Sequence, residues 1–548
     1  MTVADRFLTH TVDNQVPPLR GLNLYASDLA LREAIAREGG GWGEADLQAY
    51  GAIAGGELMD LGFQANENKP KLKLFDRYGH RLDEVEFHPA YHRIMALGLK
   101  HGVAGYAWRH AGKPGAHVAR AGLAYLHNQA DQGTSCPLTM TYACVAALQH
   151  EPALAKDWVP RVAGGDYDPV VRSALQKSTL TVGMGMTEKQ GGSDVRTNST
   201  KAFVQPDGSY EIVGHKWFFS APMCDAWLVL AYTDTGITCF LAPKMRPDGV
   251  RNAIRIQRLK DKLGDWSNAS SEVEFQGAWA QRVGPEGRGI ATILEMVALT
   301  RLDCMIGSAS LMRQALVQAL HHAQHRSAFG KKLIDQPLMR NVLADLALES
   351  EAAVALTMRV ARAVDASERD PHEAAIARLA TALGKYWICK RTPGFVNEAQ
   401  ECLGGAGYVE ESNLPRLYRQ APLNSIWEGS GNIQCLDVLR ALSREPETRQ
   451  AYFTELAAQR GSHPDFDREL AWLAGAFDDS ASLELRARHL VERMALALQA
   501  AVLLRAGPPE LAASFCASRL GGQQGLAYGT LPAGSPFEQL LGRALPPA

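Results

Sequence analysis

The sequence lacks the features of membrane-inserted and disulfide-stapled proteins. It contains no run that approaches the roughly 18 apolar residues needed to cross a bilayer. Residues 1–19 have no apolar core of the kind that directs secretion. Only nine cysteines occur, an odd number with no Cys-x-x-Cys pair, so most should be reduced core residues. We therefore expect a cytoplasmic protein without a membrane span.

Net charge is also nearly absent. The chain has 57 Lys and Arg against 59 Asp and Glu, which gives a formal charge of −2. The field of the whole molecule therefore attracts neither nucleic acid nor an anionic membrane, and such binding would need a local patch. With 548 residues, 46% of them hydrophobic, the chain is too long for one core, so we predict several domains.

The spacing of apolar residues changes twice along the chain. Helical spacing gives way to alternation between residues 181 and 283, where Thr200–Gln205 and Tyr210–Val213 flank a Pro-Asp-Gly-Ser turn. Helical spacing then returns, with one long apolar stripe from Met296 to Leu320. We predict a mainly α-helical fold with an inserted β-domain. The absence of alternating strands and helices argues against a Rossmann fold.

These changes of pattern divide the chain into five predicted regions. Residues before about 60 show no clear period, and a charged, proline-containing stretch near residue 443 marks the last boundary. The regions are an N-terminal extension (1–60), a helical N-domain (61–180), a middle β-domain (181–283), a helical bundle (284–442) and a C-terminal helical appendage (443–548).

Three segments carry residues suited to chemistry. In Gly185–Val195, a Gly-Gly-Ser turn allows backbone N–H groups and a hydroxyl to approach phosphates, although such a turn can also simply connect strands. Gly214–Ser220 places Trp217 on a strand, where its indole could pack on a flat ring or belong to the core. In Asn424–Ile433, Glu428 lies between a tryptophan and small residues, a position that a helix dipole alone would favour.

Taken together and in this order, these segments resemble the signatures of the acyl-CoA dehydrogenase family over about residues 60–442. His325–Gly330 and Leu403–Tyr408 resemble two further motifs of that family. The resemblance implies a helical N-domain, a middle β-barrel and a C-terminal four-helix bundle. It also implies FAD as the cofactor and a homotetramer whose FAD sites are shared between subunits. The extension and the appendage fit the alkylation-response branch of the family, for which the resemblance implies DNA binding through the appendage.

Glu428 resembles the family's catalytic base. A thioester α-C–H is weakly acidic, so its proton must be removed as hydride passes from Cβ to the flavin, and a water-excluded pocket raises a carboxylate's pKa toward the working range. Some family members place the base on the helix that here contains Thr300 and Arg301, where no glutamate stands. By the same resemblance, the residues assigned to the cofactor are Met186, Thr187, Gly192, Ser193, Trp217, Phe218, Phe219, Arg326, Phe329, Gly404, Gly405, Trp427, Ser430 and Asn432.

Three positions depart from the family pattern. Phe219 stands where most members carry a threonine that hydrogen-bonds the flavin, and a phenyl ring cannot do this. Glu401 stands where glutamine is usual near the cofactor, and Lys189-Gln190 replaces a smaller pair. FAD binding tolerates these changes, whereas efficient dehydrogenation of an ordinary fatty acyl-CoA is placed in doubt.

Two functions therefore remain open, with an acyl-CoA oxidase as a third that would need oxygen access to reduced flavin. The first is dehydrogenation of a short or branched acyl-CoA, with an unidentified electron acceptor. The second is a flavoprotein that binds or protects DNA and has weak or vestigial dehydrogenase activity. The appendage (441–548) has ten Arg, no Lys and twelve Asp plus Glu, which does not favour DNA. Arg486, Arg488, His489 and Arg493 could still form a small basic patch, or only a solvated helix face.

One pair of histidines has the spacing of a metal site. His321 and His325 share a helix face at i, i+4, but no acidic partner is near them in sequence. A polar helix face explains the pair better, and we predict no metal.

Overall fold

The N-terminal part of the protein is helical and includes one β-hairpin. The structure, a computed structural model, describes residues 7–545, so the predictions for the two chain ends lie partly outside it. The elements of this part are α1 (Leu29–Arg37), α2 (Glu44–Ala54), α3 (Glu57–Glu67), β1 (Lys71–Phe75), β2 (Arg81–Glu86), α4 (Pro89–Lys100), α5 (Tyr106–Arg109), α6 (Ala116–Ala130), α7 (Gln132–Leu148) and α8 (Pro152–Val162). Helices α6 and α7 are almost entirely buried and form its core.

Residues before 60 are more ordered than their sequence pattern indicates. They form α1 and α2, and α3 continues across position 60. Ile35 and Leu47 pack so closely on α6 that a Cβ added to Gly122 would lie 2.6 Å from Ile35 Cδ1. The helices are short and rich in alanine and glycine, so their apolar faces are too narrow to show a period in the sequence. Tertiary packing on α6 stabilises them instead.

The middle part is a closed β-barrel. Its strands are β3 (Val182–Gly185), β4 (Lys201–Val204), β5 (Tyr210–Ser220), β6 (Ala226–Thr233), β7 (Gly236–Pro243), β8 (Ile254–Leu259) and β9 (Ser270–Val283). Strands β4, β5, β9, β7 and β6 pair in a ring, because β6 bonds to both β7 and β4, while β3 and β8 pair with β6 and β9. The predicted hairpin is confirmed: β4 and β5 pair antiparallel, with Val204 opposite Tyr210 across the turn.

The third part is a bundle of long helices. Its elements are α9 (Gly289–His325), β10 (Ser327–Ala328), β11 (Lys331–Lys332), α10 (Pro337–Ala366), α11 (Pro371–Glu401), α12 (Leu414–Gln420) and α13 (Gly431–Arg444). Helix α9 contains 37 residues and packs against α6, α7, α10 and α11. A buried ion pair joins it to α6, since Arg120 Nη2 lies 2.8 Å from Asp303 Oδ2. The predicted fold, helices around an inserted β-barrel, is confirmed.

The C-terminal appendage folds back onto the bundle. Its helices are α14 (Pro446–Ala457), α15 (Pro464–Gly475), α16 (Leu483–Ala506), α17 (Pro509–Phe515) and α18 (Phe537–Ala544). Helix α16 packs on α10, α11 and α13, and α18 packs on α10 and α1. The buried Arg519 lies 2.5 Å from Asp345 and 3.0 Å from Glu349, both on α10. Within residues 7–545, no helix has the length and apolarity that a membrane crossing requires.

Candidate active site

The loop that carries Glu428 connects α12 to α13 and is held by its backbone. Glu428 has a φ of 56°, in the left-handed region, and Gly429 follows with a φ of 94°. Arg301 Nε donates to the Glu428 carbonyl at 3.0 Å, and Gln434 Nε2 donates to the same oxygen at 3.1 Å. Lys385 Nζ donates to the carbonyl of the preceding residue at 2.7 Å. Three donors on three helices therefore fix the direction of the carboxyl group.

The Glu428 carboxyl group has the properties of a general base. Burial raises its pKa above the ordinary range, while a hydrogen bond from Thr300 and the charges of Lys385 and Arg301 oppose part of that rise. Thr300 Oγ1 donates to Glu428 Oε2 at 2.7 Å. A carboxylate whose pKa lies nearer neutrality abstracts a weakly acidic proton more effectively. Thr300 and Arg301, which the sequence analysis noted only for the missing glutamate, thus belong to the Glu428 site.

The turn predicted to bind the flavin is fixed by a residue that the sequence analysis did not single out. Glu188 is buried and accepts hydrogen bonds from Lys216 Nζ at 2.8 Å, Thr200 Oγ1 at 2.6 Å and the Ser199 N–H at 2.7 Å. Burial opposes ionisation, but the Lys216 ammonium outweighs it and lowers the pKa of Glu188 to about 2. This buried anion therefore anchors the turn to β5.

Within the turn, the predicted cofactor residues lie together. The carbonyl of Thr187 accepts from the Trp217 N–H at 2.8 Å, which ties the turn to the adjoining strand. A Cβ added to Gly192 would lie 2.3 Å from Thr187 Oγ1, so only glycine fits beneath that hydroxyl. Ser193 is exposed at the tip, and Met186 is half-buried at the base. Hydroxyl and N–H groups are thus presented on one side of the barrel, as phosphate or flavin binding requires.

The three consecutive aromatic residues near the end of β5 point in different directions. Trp217 is half-buried, with Lys260 Nζ 3.5 Å from its ring centroid, and Phe218 is 52% exposed. Phe219 is 0% exposed, and its ring packs on Trp227 inside the barrel at a centroid distance of 4.9 Å. The Phe219 ring therefore points away from the exposed face of β5, which leaves its backbone as the part that could contact a cofactor there. An irregularity in the β5–β9 pairing between residues 216 and 219 turns that side chain inward.

Helix α7 lies between the turn and Glu428. Its Thr141 Oγ1 accepts from the Val182 N–H at 3.0 Å, which joins α7 to the strand that leads into the turn. On the same helix, burial raises the pKa of the Cys136 thiol to about 12, and the negative charge of Glu428 adds to that rise. The barrel turn and the Glu428 loop are thus brought to the same helix.

Arg326 and Phe329 lie far from this group. Thr300 lies on α9 and Arg326 is the C-cap residue of that helix, 26 positions later, which at 1.5 Å per residue separates them by about 39 Å. Phe329 is 99% exposed. Phe329 lies in the hairpin of β10 and β11, whose start is held by Asn14. The side-chain Nδ2 of Asn14 donates to the Ser327 carbonyl at 2.8 Å, and its Oδ1 accepts from the Ser327 N–H at 2.8 Å. A single chain therefore does not bring Arg326 to its own Glu428.

The remaining predicted residues lie near the start of α13 and after α11. Gly404 and Gly405 form an exposed turn in which an added Cβ would meet nothing within 4 Å. Ser430 is the N-cap residue of α13 and makes no side-chain cap bond, so the N–H groups at that helix end can receive an anion. Asn432 Oδ1 accepts from Arg488 Nε of the appendage at 2.8 Å. Open glycines and a free helix N-terminus fit a nucleotide's phosphates.

The four basic residues of the possible patch on α16 have different surroundings. Arg486 donates to Ser482 Oγ at 2.7 Å and to two backbone carbonyls, and Arg493 pairs with Glu469. Arg488 is bonded to Asn432, as described above, and His489 packs edge-on against an aromatic ring. Arg493 is therefore neutralised, whereas Arg488 and His489 are exposed.

The two helix-face histidines make backbone contacts. His321 Nε2 donates to the carbonyl of Pro17 at 2.7 Å, and His325 Nδ1 lies 2.8 Å from the His321 carbonyl. These contacts are those of a polar helix face that receives the N-terminal segment.

Comparison with known proteins agrees with this architecture. Residues 14–169 match the adaptive response protein AidB N-terminal domain, 183–278 match the acyl-CoA dehydrogenase middle domain, and 287–443 match the acyl-CoA dehydrogenase C-terminal domain. The chain is 48% identical to AidB of Escherichia coli over 510 residues, 93% of this chain and 94% of that one. It is 31% identical to acyl-CoA dehydrogenase family member 11 of Caenorhabditis elegans, over 78% of this chain and 71% of that one.

A solved structure matches nearly the whole fold. The structure of Caenorhabditis elegans ACDH-11 in complex with C11-CoA has a TM-score of 0.86 and 27% identity, and covers 95% of both chains. The protein described here belongs to the acyl-CoA dehydrogenase family. Its N-terminal domain and its similarity along almost the entire length of the Escherichia coli protein place it in the AidB branch of that family.

Proposed function

We propose that this protein is an FAD-dependent acyl-CoA dehydrogenase in which Glu428 removes the α-proton of the thioester. The observation that carries the proposal is the Glu428 carboxyl group, whose pKa is raised by burial and whose direction is fixed through Thr300 and Arg301. An enzyme of this family needs one base at the α-carbon, and Glu428 has both the chemistry and the anchored backbone for that role.

Several residues of the chain have separate roles in the proposed reaction. Glu428 accepts the α-proton, and Thr300 steadies the carboxylate that must exist beforehand. The Arg301–Asp437 ion pair at 2.8 Å holds the guanidinium that fixes the loop. FAD, when bound, accepts the hydride from the β-carbon. The turn containing Thr187, Gly192 and Ser193 is suited to orient the cofactor, and the exposed face of β5 is suited to receive its ring.

The substrate that we propose is a short or branched acyl-CoA. Trp427 precedes the base in the loop, and its indole N–H donates to Asn424 Oδ1 at 2.9 Å, which fixes a bulky ring in this loop. If that ring borders the acyl group, a compact chain is favoured, because a long one would have to displace it.

The cofactor site is completed by a neighbouring subunit. Arg326 is about 39 Å of helix away from Thr300, and Phe329 is exposed, so both suit a site on another copy of the chain. We expect a homotetramer. All nine cysteines are free and buried, which suits a reducing cytoplasm.

The test is anaerobic mixing of the purified protein with a panel of acyl-CoA thioesters while the flavin absorbance is recorded. Rapid bleaching by one short or branched thioester, but not by straight long chains, is expected. The electron acceptor can then be sought with the same thioester. A protein that binds FAD but is reduced by no thioester would contradict the proposed activity. A colourless protein that takes up no FAD would contradict the cofactor assignment as well.

The DNA-binding alternative has less support. Phosphate binding needs a net positive surface, whereas the appendage has ten Arg, no Lys and twelve Asp plus Glu, and Arg493 is paired with Glu469. We therefore keep dehydrogenation as the proposed function.

A further inference from the structure

The N-terminal arm, residues 8–20, contains neither helix nor strand, yet two of its residues make specific contacts. Asn14 and Pro17 bond the end of α9 and the start of the hairpin formed by β10 and β11. Arg326 and Phe329, which we expect to reach the cofactor of a neighbouring subunit, belong to this same segment. The arm therefore lies against the part of the chain that we assign to the neighbouring cofactor site.

The side chain of Asn14 pairs with the hairpin as a backbone group of a strand would. Its Nδ2 donates to the Ser327 carbonyl and its Oδ1 accepts from the Ser327 N–H, both at 2.8 Å. Asn14 has a φ of 51°, in the left-handed region, which asparagine adopts more readily than most residues with a side chain. A second attachment joins His321 Nε2 to the Pro17 carbonyl at 2.7 Å. Both the backbone conformation and the paired hydrogen bonds therefore favour asparagine at position 14.

Arg326 is fixed by two different parts of the chain. Its N–H donates to the His322 carbonyl at 2.9 Å, and its carbonyl accepts from the Leu333 N–H at 2.9 Å. Its guanidinium Nη1 donates to the Asn14 carbonyl, which is the only hydrogen bond of this side chain within residues 7–545. The edge formed by Nε and Nη2, which can bind two phosphate oxygens side by side, remains available. The arm thus holds one end of the guanidinium and leaves the other for an anion.

The turn that follows Arg326 has a conformation that its sequence does not favour. Phe329 and Gly330 form the two-residue turn between β10 and β11, with φ values of 51° and 77°. Two positive φ angles are those of a type I′ turn, in which a residue as bulky as phenylalanine is uncommon. The Phe329 ring is also exposed. Strain and exposure at one residue are typical of a contact with another molecule, in agreement with a role for this hairpin outside its own subunit.

An arginine that is already held loses less conformational freedom when it binds a phosphate. We propose that Asn14 is a positioning residue for the FAD site of the neighbouring subunit, where it docks the arm on the hairpin and holds the Arg326 guanidinium in place for the diphosphate. The inference rests on the proposed cofactor and on its shared site. It makes the N-terminal arm a part of that site.

The test uses the full-length, FAD-loaded protein, which is diluted until flavin is released, so that the equilibrium fluorescence of free flavin gives the dissociation constant. Asn14→Gly accepts the left-handed backbone but lacks both side-chain bonds, and FAD affinity should fall by about ten-fold. Gln15→Ala is the matched control on the same arm. It should leave FAD affinity unchanged, because the Gln15 side chain bonds only the Asp13 carbonyl, at 3.4 Å.

A double variant separates the positioning of Arg326 from a general structural role. If Asn14 acts through Arg326, Asn14→Gly should cause little further loss of affinity in a protein that already carries Arg326→Met. Sedimentation verifies that the variants are compared in the same assembly. Equal FAD affinity of the wild type and Asn14→Gly would overturn the proposal, as would a full additional ten-fold loss in the Arg326→Met protein. A wild-type protein that binds no FAD would instead contradict the cofactor assignment, and this inference with it.

Discussion

Arg519 is buried and Glu428 is half-buried, and the charged groups around these two residues differ. Arg519, in the appendage, lies 2.5 Å from Asp345 and 3.0 Å from Glu349, so its guanidinium is fully compensated. Glu428 receives one hydroxyl bond, from Thr300, and burial raises its pKa. At the contact between the bundle and the appendage, paired charges fix one arrangement of the helices. In the loop of Glu428, the carboxyl group has too few donors and cations around it to keep its pKa low, and it therefore stays reactive.

The same contrast separates two carboxylates close to the proposed flavin site. Glu188 accepts from a buried ammonium and several other donors, which lowers its pKa to about 2. It cannot act as a base near neutral pH, because it binds protons too weakly. The number of cations and hydrogen-bond donors around a glutamate thus decides whether it anchors the structure, as Glu188 does, or can act as a base, as we propose for Glu428.

Replacement of Glu428 should have the largest effect. Glu428→Gln keeps the shape but removes the base, so the rate of flavin reduction by a thioester should fall about 10³- to 10⁴-fold. Because the pKa of Glu428 is raised in the folded state, its ionisation opposes folding above that pKa, and the glutamine variant should be at least as stable at pH 8. Stopped-flow reduction and denaturant unfolding measure the two effects. A variant that is reduced at the wild-type rate would show that another group is the base.

Replacement of Arg519 should lower the stability of the protein and leave flavin reduction unchanged. Arg519→Met leaves Asp345 and Glu349 buried without their partner, which should lower the free energy of unfolding by about 3–5 kcal/mol. Reduction of the flavin in the folded fraction should be unchanged. Arg460→Met, at an exposed position of the same appendage, is the control and should change stability by less than about 0.5 kcal/mol. Equal stability of the two variants would refute the structural role of Arg519.

Thr300→Val should produce a smaller, pH-dependent change. The hydroxyl lowers the pKa of Glu428, so its removal should raise that pKa further. Activity requires the ionised carboxylate, and the rising limb of kcat/KM against pH should therefore move to higher pH. A limb that stays in place would mean that Thr300 does not act through Glu428. Thr292→Val, earlier on α9, serves as the matched control.

The smallest effect is expected at the basic residues of α16. We expect no retardation of duplex DNA in a low-salt gel by the wild-type protein, because the appendage has more acidic than basic residues, and Arg486→Glu/Arg488→Glu should therefore change nothing. A salt-sensitive shift by the wild-type protein that the double variant abolishes would instead support the DNA-binding alternative.

The parts of the fold that depend on neighbouring residues were predictable. The hairpin of β4 and β5, the 37-residue helix α9 and the long helices of the bundle each follow from a local spacing of apolar residues. The short helices before residue 60 and the strands β1 and β2 were not predicted, because packing on the rest of the domain stabilises them more than their own pattern does.

The candidate site shows the same division. Glu428 and the residues of the flavin turn could be assigned because their motifs are contiguous. The contacts that give them their properties join distant residues: Glu188 to Lys216, 28 positions apart, and Thr300 to Glu428, 128 positions apart. The inward direction of the Phe219 ring was not predictable, because an irregularity in strand pairing, which no local motif reports, decides which way the ring points.

The backbone at Glu428 has one more consequence. Its left-handed φ of 56° costs a residue with a side chain about 1–2 kcal/mol, and costs glycine almost nothing. A mutation to glycine at this position would therefore relieve strain while removing the base. Stability alone would favour the glycine, so a glutamate in this strained position is a sign of a reactive role and not of a structural one.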